Sequence, residues 1–280
     1  MKKNKEIVVL YHKGCKDGFG AAWAAWRKFG ARAKYIGVNH GDKLPAGLAR
    51  KEVYMVDFTY SAKEMQWLLK ICKKVVALDH HVSSMAATML AHDYRYNVSH
   101  SGATLAWLYF FPNKKTPQIL RYLEDTDIWR FKMQHTREII ASIHTYGQDF
   151  RIWSKLAKEI EKFSTRKIHI MRGKAILQYQ GQLIKKAVDE AEEVLFLKHR
   201  VLVSNSSVLI SVIGHKLAQK KKSFGIVWRR SKGLILVSLR SIPSFNVSKI
   251  AAHFGGGGHK NAAAFTLSGH KSLPWKRIKK

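Results

Sequence analysis

Val75-Val76-Ala77-Leu78-Asp79-His80-His81 is an apolar, largely β-branched run that ends in an acid and two imidazoles. Bounded by Lys73-Lys74 and Ser83-Ser84, it reads as a strand buried in a parallel sheet. In open α/β sheets ligands bind at the carboxyl ends of such strands. Taken alone, the Asp-His-His triplet is open to three readings: surface decoration, a hydrogen-bonded core cluster, or a metal or catalytic site. Two further runs end in the same way. Ile7 to Tyr11 leads into His12, Cys15 and Asp17, and Val53 to Val56 leads into Asp57. Three strands would then bring their polar tips to one rim.

Around these strands the pattern alternates. Phe19 to Phe29 suits a tightly packed helix, with Trp23 and Trp26 at the i, i+3 spacing of core residues. Lys34 to Val38 reads as a strand and Ala62 to Cys72 as a helix, so parallel crossover units with helices on both sheet faces are expected. A loop is expected from His81 through Tyr96. Ser99-His100-Ser101-Gly102-Ala103-Thr104 then carries helix-starting chemistry ahead of Leu105 to Phe111, and free amides there could face an anion. A helix from Gln118 to Leu123 leads to Glu124-Asp125-Thr126-Asp127-Ile128-Trp129, whose carboxylates read either as a solvated turn or as ligands.

Residues 1–150 form the expected first domain and 151–196 a helical connector. A smaller α/β domain is expected over 197–270, followed by a basic tail over 271–280. In the smaller domain Phe254 precedes four glycines, Gly255 to Gly258, and then His259. Such a run is either a linker or a loop that lets backbone amides approach a ligand, often a phosphate.

The balance of 50 Lys+Arg against 19 Asp+Glu gives a formal charge of +31, attractive to polyanions unless it reflects a Lys-rich proteome. Basic residues are spread along the chain, although Lys2, Lys3 and Lys5 open it and Lys276, Arg277, Lys279 and Lys280 close it. Only Cys15 and Cys72 occur, so a disulfide framework is not indicated and a reducing cytoplasm is expected. No apolar run approaches the roughly 18 to 20 residues of a membrane span, and the first strand comes too early for a signal peptide.

Five motifs stand in order: His12-x-x-Cys15-x-Asp17-Gly18, Val56-Asp57-Phe58, Leu78-Asp79-His80-His81, Glu124-Asp125-x-Asp127-x-Trp129, and Ser238-Leu239-Arg240-Ser241 followed by Gly255 to His259. Over Val8 to about Phe265 this set resembles the DHH superfamily of phosphoesterases with its DHH-associated C-terminal domain, which includes RecJ-type exonucleases and nano-RNase oligoribonucleases. The resemblance implies two divalent cations, usually Mn²⁺, held by His12, Asp17, Asp57 as the bridge, His80 and Asp125. Asp125 is preferred to Asp127 because the family's fourth motif sets its ligand ahead of a Thr or similar residue, then a small or acidic one, then an aromatic. Asp79 would orient an imidazole from behind, and His81 would face the scissile phosphate to stabilise it or protonate the leaving oxygen. Arg240, Ser241, Gly256, Gly257, Gly258 and His259 would hold another part of the substrate, with His100 in the same substrate-binding set.

The chemistry of the residues agrees with that implication. Mixed carboxylate and imidazole donors suit Mn²⁺, and paired ions can activate water for an in-line displacement at phosphorus. One departure stands out: many family members carry Asp-x-Asp where this chain has Cys15-Lys16-Asp17. Cys15 could ligate as thiolate, stand aside for water, or mark a weakened second metal site.

The leading expectation is therefore a metal-dependent phosphodiesterase acting on short RNA or DNA oligonucleotides. A polyphosphate, a cyclic dinucleotide or a bisphosphorylated nucleotide is the alternative substrate, and an inactive nucleic-acid-binding protein is the reading from another class. No membrane partner is expected, and a homodimer is left open.

Overall fold

The structure is a computed structural model that describes residues 5–39 and 41–278. Lys2, Lys3, Lys279 and Lys280 lie outside the described residues. Two compact units are present, Met1–Ile176 and Leu177–Lys280.

The first unit is built on five parallel strands. β1 (Ile7–His12) leads through α1 (Lys16–Phe29) to β2 (Ala33–Val38), and β3 (Glu52–Val56) leads through α2 (Ala62–Ile71) to β4 (Lys74–Asp79). After a short α3 (Met85–Thr88) comes β5 (Asp93–Tyr96), giving the order β2-β1-β3-β4-β5. Helices α4 (Gly102–Phe110), α5 (Gln118–Asp127), α6 (Thr136–Ile143) and α7 (Phe150–Glu161) follow, and α8 (Phe163–Asp189) runs across the division between the units.

Strand periodicity sorts the core into two faces. Val9, Val56, Val76 and Leu78 point to one side and pack with Trp23, Ala106, Leu120, Ile139 and Trp153 of α1 and α4 to α7. Val8, Leu10, Val53, Met55, Val75 and Ala77 point to the other and pack with Met65, Leu68 and Ala87 of α2 and α3. Burial on both faces is why these strands read as continuous apolar runs. Trp23 is core, as its spacing predicts, stacked 5.8 Å from Trp107 with its indole N–H donated to Ser154.

The structure corrects three expectations. The loop expected through Tyr96 contains β5, an edge strand whose Asp-Tyr-Arg-Tyr sequence lacks an apolar run because it pairs only with β4. Helix α5 does not stop at Leu123; it continues to Asp127, so Glu124, Asp125 and Asp127 lie in its last turns. Of the expected connector over 151–196, Trp153, Leu156 and Ile160 of α7 are core residues of the first unit, and Glu192–Phe196 is a strand of the second.

One buried polar tie links three helices of the first unit. Ser142 Oγ lies 3.0 Å from Nδ1 of His169, whose Nε2 lies 3.1 Å from Glu159. The spacing is that of a nucleophile, base and orienting acid, but Ser142 is 0% exposed and offers a substrate no access. The tie is structural, joining α6, α7 and α8.

The second unit carries a seven-stranded mixed sheet. β6 (Glu192–Phe196), β7 (His199–Asn205), α9 (Ile210–Lys221), β8 (Phe224–Ser231), β9 (Leu234–Ser241), α10 (Ser248–His253), β10 (Gly257–His259), β11 (Ala262–Ser268) and β12 (Trp275–Arg277) follow in chain order. The strand order is β10-β11-β9-β8-β7-β6-β12. Helix α10 packs on one face with Phe196, Phe224 and Phe265, and α9 on the other with Leu202 and Val227. The α/β class and a second sheet-bearing unit are as the sequence predicts. Among the described residues no helix is long and apolar enough to cross a membrane.

His169→Ala is expected to destabilise the protein by about 1–3 kcal/mol, because the buried Ser142 hydroxyl loses its partner. A lowered urea midpoint at unchanged slope would show this. An unchanged midpoint would mean that the tie contributes nothing.

Candidate metal centre

The sheet places the site. Its order reverses between β1 and β3, which is the crevice where ligands bind in open sheets. Tyr11 pairs with Val56 and Val56 with Leu78, so the next residues along, His12, Asp57 and Asp79, emerge level with one another. Hydrophobic register is thus converted into a row of polar tips.

Asp57 takes a left-handed backbone (φ 57) at the end of β3, which turns its carboxylate into the crevice while its amide still donates to Leu78. The start of α4 closes on it. A Cβ on Gly102 would collide with Asp57 Cα, 2.7 Å away, so only glycine permits the approach. That approach lets the amide of Ala103 donate to both oxygens of Asp17 at 3.3 Å. Ser101 caps α4 by accepting from Thr104, the helix-starting role its position predicts.

Among the described residues, three groups of side chains have ligand atoms within 4.8 Å of one another: His12, Cys15 and Asp57; Asp57, His80 and His81; and Asp17, His80 and Asp127. Asp57 and His80 are each shared by two groups. His80 Nε2 lies 3.2 Å from Asp57 and 3.4 Å from Asp127, and His12 Nδ1 lies 3.6 Å from Asp57. Cys15 stands with His12 and Asp57, within reach as a donor. Carboxylate and imidazole donors in this mixture fit a first-row divalent cation.

The protonation balance points the same way. Burial, with repulsion from Asp57 and Asp127, raises Asp17 well above the usual carboxylate range. Burial and the Asp57 charge also raise Asp127. Asp57 is itself buried, but hydrogen bonds from His12 and His80 hold it below the usual range. Hydrogen bonds to Asp57 and Cys15 push His12 up to about 10. A divalent cation would replace these protons and relieve the repulsion.

Asp79 sits behind the histidines. One of its oxygens accepts from the amides of His80 and His81 at 2.7 and 3.2 Å and lies 2.7 Å from His81 Nδ1; the other accepts from Ser84 at 2.6 Å. Burial opposes ionisation, but the His81 and Ser84 hydrogen bonds bring its carboxyl down to about 2. The Asp79 hydrogen bond, against the effect of burial, raises the His81 pKa.

Asp127, and not Asp125, stands among the grouped donors, against the preference for Asp125. The carboxylate of Asp125 accepts from the amides of Lys132 (2.9 Å) and Met133 (3.1 Å) and from the Thr136 hydroxyl (2.5 Å). Those bonds engage both oxygens in holding the loop after α5. Asp127 had a signal in the sequence: it stands four residues past Leu123 and seven past Leu120, on the stripe of α5 that faces the core. Ending the helix at Leu123 hid it. His100 lies 3.0 Å from Glu124, which also accepts from the Ser101 amide and pairs with Arg130, so these residues form their own network.

In the second unit, Ser241 is buried, donating to the carbonyl of Phe245 and accepting from Asn261. This corrects its placement among the substrate-binding residues: its hydroxyl ties a turn. Gly256 and Gly258 are required by packing, since a Cβ would strike Phe265 Cα (2.7 Å) and Ala263 Cα (2.6 Å) respectively. The run is thus no linker, but two of its glycines serve the close pairing of β10 with β11. Gly257 and His259 are exposed on that edge strand, with open space around Gly257. The Arg240 guanidinium is half-buried and donates to Ser211 at 2.8 Å.

With this geometry in view, the likenesses fall into place. The DHHA1 domain family matches residues 200–275. The uncharacterized protein R106 of Acanthamoeba polyphaga mimivirus is 30% identical over 305 residues, covering 99% of this chain and 71% of that protein. The solved structures that share the fold include a pGpG-specific phosphodiesterase, PggH, of Vibrio (TM-score 0.54, 13% identity, 94% of each chain), and RecJ of Thermus thermophilus in complex with Mn²⁺ (0.53, 13%, 94% of this chain and 49% of that one). A third is an exopolyphosphatase-related protein of Bacteroides fragilis (0.50, 14%, 96% and 88%). The chain is thus a relative of R106 that carries a C-terminal DHHA1 domain and shares the fold of these three structures.

Asp127→Asn is expected to lower Mn²⁺ affinity by at least about 10-fold, the lower bound for groups that only support a ligand. Asp125→Asn should instead lower the melting temperature while Mn²⁺ affinity stays within about 2-fold by calorimetry. The opposite pattern would restore Asp125 to the metal.

Proposed function

We propose that the protein is a metal-dependent phosphodiesterase acting on short oligonucleotides. The observation that carries this reading is the overlap of three donor groups through Asp57 and His80 at the sheet's reversal point. His12, Cys15, Asp17, Asp57, His80 and Asp127 would hold two divalent cations, with Mn²⁺ the ion of choice. When bound, these would supply Lewis acidity and a water of lowered pKa for attack at phosphorus.

The chain's own residues do the rest. Asp57, common to two donor groups, bridges them. Asp79 holds His81 through Nδ1, so exchange of a proton with a substrate oxygen goes through Nε2. A histidine whose pKa is raised by that carboxylate is suited to steadying a phosphoryl oxygen or protonating the leaving group. Cys15 completes the first donor group where many relatives have Asp, which supports an active centre over an inactive binding protein. Arg240, Gly257 and His259 are the residues of the second unit left to meet substrate.

The deciding assay presents the purified protein, with Mn²⁺, to short RNA, short DNA, a cyclic dinucleotide, an adenosine bisphosphate and polyphosphate, with products resolved. Hydrolysis of the oligonucleotides at the highest kcat/KM supports the proposal; preference for polyphosphate defeats it.

Asp57→Asn should cut kcat/KM by more than about 100-fold, the upper range for groups that merely orient a ligand. Its melting temperature should barely change, because asparagine tolerates a left-handed backbone. Near-normal turnover in saturating Mn²⁺ would remove Asp57 from the centre.

Gly257→Val meets open space, so the fold should survive. KM for a dinucleotide is expected to rise severalfold while Mn²⁺ affinity holds. Unchanged kinetics would leave the edge strand without a part in binding.

A further inference from the structure

Trp129 is 82% exposed, yet its backbone is held in the left-handed region (φ 55), as is that of Phe131 (φ 48). Each such conformation at a bulky residue costs on the order of 1–3 kcal/mol and persists only where its surroundings impose it. Here they do. The carbonyl of Asp125 accepts from the amides of both Arg130 and Phe131 at 3.0 Å, and its carboxylate holds Lys132, Met133 and Thr136. Arg130 is pinned on the other side by Glu124 and the carbonyl of Ser99. Asp125 is therefore a positioning residue. The turn it clamps presents a tryptophan to water, which packing alone never rewards.

The exposed ring borders a cavity. A space of about 690 Å³ is lined by Trp129 and Phe131 together with Cys15, Lys16, Asp17 and Asp127. The indole stands edge to face with Phe131 at 5.5 Å, and the guanidinium of Arg137 lies 5.2 Å from the Phe131 ring. One wall thus carries donor groups of the metal centre and another an aromatic platform. The volume falls within the usual 300–1,000 Å³ for a small-molecule site and exceeds what a bare phosphate needs.

We infer that Trp129 is the stacking platform for a nucleobase of the substrate, so that the site takes nucleoside phosphates in preference to bare phosphate chains. This rests on the phosphodiesterase reading. The phosphate would lie toward Asp17 and Asp127 and the base over the indole. Stacking tolerates any base, since every base has a π-face, so little base specificity is expected from this contact. Lys16, whose amine donates to the carbonyl of Tyr146 at 3.0 Å, lines the same cavity.

The test measures binding of adenosine 5′-monophosphate and of inorganic phosphate, each with Mn²⁺ present, by calorimetry on the full chain. Trp129→Ala should weaken the nucleotide by about 5- to 150-fold, the equivalent of roughly 1–3 kcal/mol of stacking at 1.4 kcal/mol per tenfold. Phosphate affinity should stay within about 2-fold. Trp129→Phe, which keeps a ring, should recover most of the nucleotide affinity, and melting curves would show that both variants are folded. For a dinucleotide substrate the loss should appear in KM. Equal weakening of nucleotide and phosphate, no weakening of either, or no recovery by phenylalanine overturns the inference. Failure of the wild type to hydrolyse any oligonucleotide overturns the activity instead, and the binding comparison still decides the role of Trp129.

Discussion

Three carboxylates crowded into one poorly hydrated crevice are what the first unit has to accommodate. Asp17 and Asp127 place oxygens within 4.8 Å of each other, and Asp57 joins Asp127 through a shared histidine. At an effective dielectric of about 20, two unit charges at that separation repel by roughly 3–4 kcal/mol. This is comparable to a large fraction of a domain's net stability. Protons or cations must offset it, and the raised Asp17 and Asp127 register the first option. The histidines answer part of the same field, with His12 pushed up to about 10.

Such crowding survives only on a rigid frame. The frame is the register of β1, β3 and β4, fixed by alternate apolar side chains that leave no freedom to slip, since a one-residue shift would exchange the two buried faces. Gly102 adds the second fixed element by bringing the start of α4 onto Asp57, and the partly positive helix end moderates the charge of Asp17. Of the left-handed backbones in the first unit, those of Asp57, Trp129 and Phe131 lie beside the crevice, while Arg50 and His135 share the conformation.

What the sequence disclosed follows from the same physics. Strands buried on two faces announce themselves as apolar runs, so β1, β3 and β4 and the polar residues at their tips were legible. β5 was not, because an edge strand with Asp93 and Arg95 lacks that run. Asp127 was obscured for a different reason. Glu124-Asp125-Thr126-Asp127 resembles a polar turn, and only the tertiary partners of Asp125, which come from beyond the helix, show which carboxylate is engaged in holding a loop. Ser241 ties a turn and the glycines at 256 and 258 serve close packing: a motif marks positions under constraint, and packing is one source of constraint.

The two polar constellations of the first unit show how geometry separates chemistry from scaffolding. Ser142, His169 and Glu159 have the spacing of a hydrolytic triad, yet the serine is sealed within the helices and each member has its partner. At the metal centre the balance differs: several donors converge, like charges are forced together, and a cavity opens beside them. Hydrogen-bond satisfaction without access marks a structural tie, whereas unrelieved charge with access marks a place for a ligand. By that criterion the exposed indole of Trp129 belongs with the metal centre, since its strained turn places an aromatic face in the wall of the cavity that Asp17 and Asp127 also line.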